Sequence, residues 1–318
     1  MKKNPIYVFL FVYFASMLFV PACNQQVEQP IDGDKLKVVA TTTIVGDVVS
    51  QVGSDLIELS VLLPVGTDPH SFDPNPQDIA KVSEADVIFA NGAGLEDFLD
   101  KLIESAGAEE RVASLSEGIQ LMDFEGAHEG EHEGEEDTHA GGNPHTWTDP
   151  NNVIVWVRYI EQLLSELDPV HAEAYQANAE KYQDALEELD AWIREQAARI
   201  PEGNRAIVTD HLIYGYFTER YGFEQLGAII PGYSTLSEPS AQELAEMEDV
   251  IMRLGVRAIF VGNTVNPSLA ERIAEDTGVQ LVYLYTGSLS QPGGEADTYI
   301  KYMHYNTTAF VDALTPNP

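Results

Sequence analysis

Three histidines lie in three separate turn-like motifs of this chain. His70 lies in the segment GTDPHSFDP, His145 lies in NPHTWTDP, and His211 follows the run AIVTD. Because proline, glycine and aspartate end helices and strands, we expect these histidines in loops where elements end. A neutral imidazole nitrogen is a good ligand for zinc and related transition metals. Three of them meeting in a cleft would hold such a metal without catalytic groups.

Each of these histidines also has a purely structural explanation. His70 could cap a turn, His145 could be half-buried beside Trp147, and His211 could cap the helix that follows it. Their positions along the chain favour a shared site, because His70 and His211 each follow a predicted strand. Ligands of open parallel sheets bind outside the carboxyl ends of the strands. With two histidines in a first lobe and one in a second, we expect the site in the cleft between the lobes.

The elements that would position them alternate between strands and helices, which predicts an α/β fold with mostly parallel sheets. The two lobes are predicted to be joined by one long rigid helix. Strands are predicted at 36–43, 56–63, 86–90, 111–115, 206–209, 224–230, 257–261 and 279–285. Shorter helices are predicted at 45–52, 77–85, 95–106, 153–167, 214–221, 241–254, 267–277 and 298–314.

The joining helix is predicted at residues 169–200, about 45 Å at ~1.5 Å per residue. Its apolar residues recur every three or four positions and form a narrow stripe, which favours a strut over a coiled-coil surface. The stripe consists of Tyr175, Ala179, Tyr182, Leu186, Leu189, Ile193 and Ile200. This predicts an N-terminal lobe at 35–168 and a C-terminal lobe at 201–318.

The N-terminal segment has the basic, apolar and small-residue regions of a secretory signal peptide, predicted at residues 1–22. Cys23, the one cysteine, occupies the position that is acylated in bacterial lipoproteins, and residues 23–34 form a polar tether. A simple secretory signal with an incidental cysteine is the alternative. One cysteine allows no internal disulfide, so the fold depends on its core.

The chain is strongly acidic, with a formal net charge of −35. Removing residues 1–22 takes away two lysines and no acid, so the charge becomes −37. Such a surface repels nucleic acid and anionic membranes, and it suits cations or a salty environment.

A low-complexity insert at 125–142 is rich in glutamate and glycine and contains His128, His132 and His139. It predicts a mobile loop, which either collects metal weakly or is only a solvated charge run. Its HEGEH sequence matches a metalloprotease pattern that requires a helix, and the glycines argue against that helix.

These motifs, in this order, resemble the metal-binding lipoproteins of ABC transporters for zinc and manganese. The C-terminal segment 283–306 is also similar to the family's last strand and helix, so the resemblance covers almost the whole mature chain. It implies a metal bound between the lobes by His70, His145 and His211. It also implies an extracytoplasmic, lipid-anchored protein, expected to be a monomer, that delivers metal to a membrane permease driven by an ATPase.

Two positions bear on the metal. Manganese-type members usually have a glutamate where this chain has His211, and a third imidazole favours zinc, with manganese as the alternative. The family usually has an aspartate where this chain has Gly287. The fourth ligand therefore stays open among water, Asp210 and a histidine of the insert.

Two other functions compete with metal delivery. A three-histidine zinc site with bound water could serve a hydrolase, but the sequence has no nucleophile elbow and no phosphate loop, so we expect no enzyme. An adhesin or metal buffer would hold zinc without a permease.

Overall fold

The computed structural model describes residues 35–123 and 142–316 of the chain. The predicted signal peptide, Cys23 and its tether lie outside the described residues. The insert histidines His128, His132 and His139 lie outside them too.

The first lobe contains a sheet of four parallel strands in the order β2–β1–β3–β4. Helices connect the strands, as parallel pairing requires. In chain order the elements are β1 (Leu36–Ala40), α1 (Thr43–Gly53), β2 (Ile57–Val61), α2 (Pro76–Glu84), β3 (Val87–Ala90), α3 (Leu99–Ala106) and β4 (Val112–Ser114). Two long helices follow, α4 (Pro150–Leu167) and α5 (Ala172–Ala198).

The second lobe repeats this topology, with four parallel strands in the order β6–β5–β7–β8. Its elements are β5 (Ala206–Thr209), α6 (Gly215–Tyr221), β6 (Glu224–Ala228), α7 (Ala241–Leu254), β7 (Ala258–Gly262), α8 (Ser268–Thr277), β8 (Gln280–Leu284) and α9 (Tyr299–Leu314). The prediction of two parallel-sheet lobes is confirmed.

Both faces of each sheet are covered, and alternate residues of a strand enter different cores. In β3, Phe89 faces a core shared with α4, α5 and α9, whereas Ile88 faces a separate core under α2 and α3. In β7, Phe260 faces the shared core and Ile259 faces a third core under α7 and α8. The two lobes therefore share one apolar core along the long helices.

The joining helix α5 begins at Ala172, three residues after the predicted start. Asp168 accepts hydrogen bonds from His171 Nδ1 (2.6 Å) and the Tyr175 hydroxyl (2.9 Å), which holds residues 168–171 in a turn instead. The predicted stripe is buried throughout and packs against neighbouring helices, as expected of a strut. In the described residues, no helix is both long and apolar enough to cross a membrane.

Other predicted boundaries shift where a polar side chain caps a helix. The strand predicted at 36–43 ends at Ala40 because the Thr42 hydroxyl accepts a hydrogen bond from Val45 N and starts α1. Helix α4 begins at Pro150, three residues before the predicted start, because the Asp149 side chain caps Asn151 N.

Candidate metal centre

The three histidines of the sequence analysis come together in one buried cluster. His70, His145 and His211 are 4%, 1% and 2% exposed. The Nε2 atom of His145 lies 3.2 Å from that of His70 and 3.3 Å from that of His211. Among the histidine, cysteine, aspartate and glutamate side chains of the described residues, these three histidines form the group whose ligand atoms all lie within 4.8 Å of one another.

The carboxyl ends of both sheets deliver these side chains. His70 lies in the connection between β2 and α2, and His211 lies two residues after β5. His145 directly precedes the short 3₁₀ turn Thr146–Thr148 that leads into α4. The three histidines thus lie together where the strand ends of the two lobes meet.

Asn143 orients His145. Its Oδ1 atom accepts hydrogen bonds from the backbone N (3.0 Å) and the Nδ1 atom (2.9 Å) of His145. The Asn143 carbonyl oxygen accepts a hydrogen bond from the Tyr216 hydroxyl at 2.7 Å. A Cβ atom on Gly215 would lie 2.6 Å from Asn143 Nδ2, so glycine permits the close approach of α6. Because Nδ1 carries the proton, the Nε2 lone pair of His145 points into the cluster.

Asp210 orients His211 in the same way. One of its carboxylate oxygens accepts hydrogen bonds from the backbone N and from Nδ1 of His211, at 2.6 and 2.5 Å. The other oxygen accepts a hydrogen bond from Gly262 N at the end of β7. This arrangement protonates Nδ1 and leaves the Nε2 lone pair of His211 directed at His145.

The two nitrogen separations that involve His145 fit a shared metal ion. Two nitrogens bound to one tetrahedral zinc ion at ~2.0–2.1 Å lie about 3.3–3.4 Å apart, close to the two Nε2 separations above. Two neutral imidazoles that point lone pairs at each other across 3.3 Å repel, unless a proton or a metal cation lies between them. The arrangement is therefore suited to a cation.

Trp147 packs on His145, with ring centroids 5.2 Å apart, and two tyrosines of α9 hold it there. Its indole Nε1 donates to the Tyr302 hydroxyl (3.2 Å), and its carbonyl oxygen accepts from the Tyr299 hydroxyl (2.7 Å). Burial raises the pKa of Tyr299 well above its usual value, so this hydroxyl stays a neutral donor. Helix α9 of the second lobe thereby supports a histidine of the first lobe.

Gly287 lies against the cluster, beside Pro69 and Thr264. A Cβ atom at this position would lie 2.8 Å from Pro69 Cδ, so a larger side chain requires Pro69 to shift. Asp210, one candidate for the fourth ligand, is not part of the group whose ligand atoms converge. Both of its carboxylate oxygens accept hydrogen bonds, one from His211 Nδ1 and the other from Gly262 N.

Sequence reasoning missed Asn143 as a supporting residue, and it also missed Glu96. The Glu96 carboxylate is 6% exposed and accepts hydrogen bonds from Thr41 Oγ1, Asn91 N and Gly92 N. Asn91 Nδ2 in turn donates to the Pro144 carbonyl oxygen, at 2.9 Å, next to His145. An asparagine two residues before a histidine in a Pro-rich turn was the available signal for Asn143, whereas Glu96 had none.

The chain belongs to the family described as the zinc-uptake complex component A, periplasmic (ZnuA), which it matches over residues 38–313. Full-length relatives are similar to it. It is 35% identical to the manganese-binding lipoprotein MntA of Halalkalibacterium halodurans, over 96% of this chain and 98% of the relative. It is 32% identical to the manganese ABC transporter substrate-binding lipoprotein PsaA of Streptococcus mitis, over 96% of this chain and 97% of the relative.

Solved structures share the fold. The periplasmic zinc-binding protein TroA from Treponema pallidum superposes with a TM-score of 0.79 at 26% identity, covering 89% of this chain and 100% of TroA. A manganese-bound periplasmic metal-binding protein from Candidatus Liberibacter asiaticus gives a TM-score of 0.74 at 24% identity, covering 88% and 100%.

Family membership confirms several predictions from the sequence. The protein is the extracytoplasmic substrate-binding component of a metal ABC transporter, which works with a permease and an ATPase, and it is not an enzyme. The preference for zinc over manganese is not confirmed, because these lipoprotein relatives are named for manganese. A role in adhesion has no support.

Proposed function

We propose that this protein captures a divalent transition metal at His70, His145 and His211 and passes it to its permease. The observation that carries this proposal is the convergence of three buried Nε2 atoms, two of which have lone-pair directions fixed by Asn143 and Asp210. Imidazole lone pairs bind a metal cation, and the supporting hydrogen bonds keep two of them aimed at it.

We propose manganese as the metal that is transported in the cell. The support is the sequence relationship, because two relatives that match this chain almost end to end are named for manganese. Affinity alone does not identify the cargo, since sites of nitrogen and oxygen ligands bind zinc more tightly than manganese as a rule.

Zinc is the second candidate, and the ligand set favours it. The converging groups are three imidazoles with no carboxylate among them in the described residues, whereas carboxylate and water ligands suit manganese. At the place where the family usually has an aspartate, Gly287 contributes no side chain.

Transport separates the two candidates better than binding does. A strain that lacks this gene should lose uptake of radioactive manganese at submicromolar supply, and the intact gene should restore it. Restoration of zinc uptake without manganese uptake would overturn the manganese proposal. The variant His211→Ala should restore uptake of neither metal. Full uptake with this variant would argue against the triad as the capture site.

We also propose that Cys23 carries the lipid anchor. Its position directly after a signal-like segment and the lipoprotein names of the relatives support this. Mass spectrometry of the N-terminal peptide should show an acylated Cys23, and an unmodified thiol on membrane-bound protein would contradict it.

A further inference from the structure

A loop of the second lobe crosses the cleft beside the metal centre. This crossing loop, residues 231–239, follows β6 and precedes α7. It is fixed to the segment that carries His211, because Ile230 N donates to the Asp210 carbonyl oxygen at 2.7 Å. Leu212 N donates to the Gly232 carbonyl oxygen at 2.9 Å. Movement of the loop is therefore coupled to the His211 side of the site.

The crossing loop reaches the first lobe through Thr235. The Thr235 hydroxyl donates to Asp68 Oδ2 at 2.5 Å, and Asp68 Oδ1 accepts a hydrogen bond from His70 N at 3.1 Å. One carboxylate thus joins the turn that carries His70 to the loop that adjoins His211. A second contact, from the Tyr233 hydroxyl to the Asp123 carbonyl oxygen at 3.1 Å, supports the same crossing.

A cavity of about 340 Å³ lies next to this contact. It shares Asp68 and Thr264 with the lining of the histidine cluster, so it adjoins the metal centre directly. Ser71, Thr235 and Asn266 add further oxygen-bearing side chains to its wall. The histidines themselves are almost fully buried, so an ion reaches them only if some part of their cover opens.

We propose that the Thr235–Asp68 hydrogen bond latches the cleft over the histidines, and that the metal ion enters and leaves through this cavity. This inference rests on the proposed function, since it concerns the exchange of the same ion. When the latch opens, the Asp68 carboxylate loses a hydrogen-bond donor and faces the cavity. A hydrated divalent cation is attracted to such an oxygen ligand before imidazoles replace its water.

The latch is a kinetic device, so the test measures rates. Protein loaded with zinc is mixed with excess chromophoric chelator, and release is followed by stopped flow. Thr235→Val keeps the shape of the side chain and removes the hydrogen bond, and it should speed release about tenfold, as expected for a hydrogen bond to a charged group. Thr235→Ser restores a hydroxyl and should release zinc at nearly the wild-type rate.

A matched control comes from the same loop. Ser234 Oγ accepts a hydrogen bond from Leu236 N and, among the described residues, makes no hydrogen bond across the cleft, so Ser234→Ala should leave the release rate unchanged. The zinc X-ray absorption spectrum should be the same in all variants, because none of them alters a proposed ligand. Thr235→Ala serves as a second variant should the valine disturb the loop.

Two results would overturn the latch. Release from Thr235→Val and Thr235→Ala at the wild-type rate would show that the hydrogen bond does not limit exchange. Equal acceleration by Ser234→Ala would show that any change in the loop has the same effect. Failure of the wild type to bind zinc or manganese at all would instead remove the proposed function, and the latch with it.

Discussion

At the scale of single residues, the hydrogen bond at one imidazole nitrogen decides what the other nitrogen can do. Asn143 Oδ1 accepts a hydrogen bond from Nδ1 of His145, and Asp210 Oδ1 accepts one from Nδ1 of His211. The Nε2 lone pairs are consequently fixed in direction before any ion arrives. A preorganised ligand set of this kind needs little rearrangement on binding, which favours high affinity.

Loss of a ligand should abolish tight binding. His145→Ala or His211→Ala should lower zinc affinity by more than the roughly 10- to 100-fold typical of a lost supporting residue, because one of three nitrogen ligands disappears. Isothermal titration calorimetry measures this directly. The control is His171→Ala, a histidine that pairs with Asp168 at the start of α5. Equal affinity losses in the control and in the two site variants would contradict the assignment.

Loss of a supporting residue should have a smaller effect. Asn143→Ala or Asp210→Ala leaves all three imidazoles in place, and zinc affinity should fall by roughly 10- to 100-fold. Competition with a chelator of known affinity measures the change. Asn178→Ala is the matched control, since Asn178 donates to the Val52 carbonyl oxygen and contacts none of the three histidines. Wild-type affinity in Asn143→Ala would show that Asn143 does not orient His145.

At the scale of elements, Glu96 links strand ends to the turn that carries His145. It accepts hydrogen bonds from Thr41, after β1, and from Asn91 and Gly92, after β3, and Asn91 contacts Pro144. Burial raises the pKa of the Glu96 carboxyl above its usual value, despite these donors. The protonated form is therefore favoured in the folded protein relative to the unfolded chain.

This raised pKa gives a pH-dependent stability with a defined sign. The contribution of Glu96 is fully present below its unfolded pKa of ~4.3 and is lost as pH rises through the folded pKa. Relative to Glu96→Gln, the wild type should therefore lose stability as pH rises above ~4.3, by up to ~1.4 kcal/mol per pH unit, until the carboxyl ionises in the folded protein. Urea unfolding of the two metal-free proteins across this range measures the difference. A wild-type stability that stays constant or increases with pH, relative to Glu96→Gln, would contradict the raised pKa.

The elements also show what a sequence can predict. The alternation of strand-like and helical segments predicted the parallel sheets. The spacing of apolar residues by threes and fours predicted the α5 stripe, because local helix geometry sets the face of each residue. Boundaries shifted at Thr42, Asp149 and Asp168, where a side chain competes for backbone or nearby polar groups. The exact ends of these elements depend on a few side-chain hydrogen bonds, and hydrophobic periodicity does not predict those hydrogen bonds.

At the scale of the whole molecule, the lobes share one core along α4, α5 and α9, while the histidine cluster joins them at the strand ends. Motif positions predicted the triad, because turns after parallel strands gather at one edge. They did not predict that two tyrosines of the second lobe, Tyr299 and Tyr302 in α9, form hydrogen bonds with Trp147 of the first lobe. These two hydrogen bonds join residues that are 152 and 155 positions apart in the chain, so only the tertiary packing brings them together.

Because the proposed ligands come from both lobes, metal binding should stabilise the whole fold. At a free zinc concentration 100 times Kd, the folded state gains about 2.7 kcal/mol, which raises Tm by several degrees. His145→Ala should show little of this rise under the same conditions, and His171→Ala should show all of it. Differential scanning calorimetry provides the comparison. A rise of equal size in His145→Ala would place the stabilising ion elsewhere.

The most direct test of the triad is the coordination shell itself. X-ray absorption of the protein loaded with one equivalent of zinc should show three imidazole nitrogens at ~2.0–2.1 Å and a fourth light ligand. His171→Ala should give the same spectrum, and His211→Ala should lose one imidazole. A wild-type shell that is dominated by carboxylate oxygens, with fewer than two imidazoles, would contradict the account.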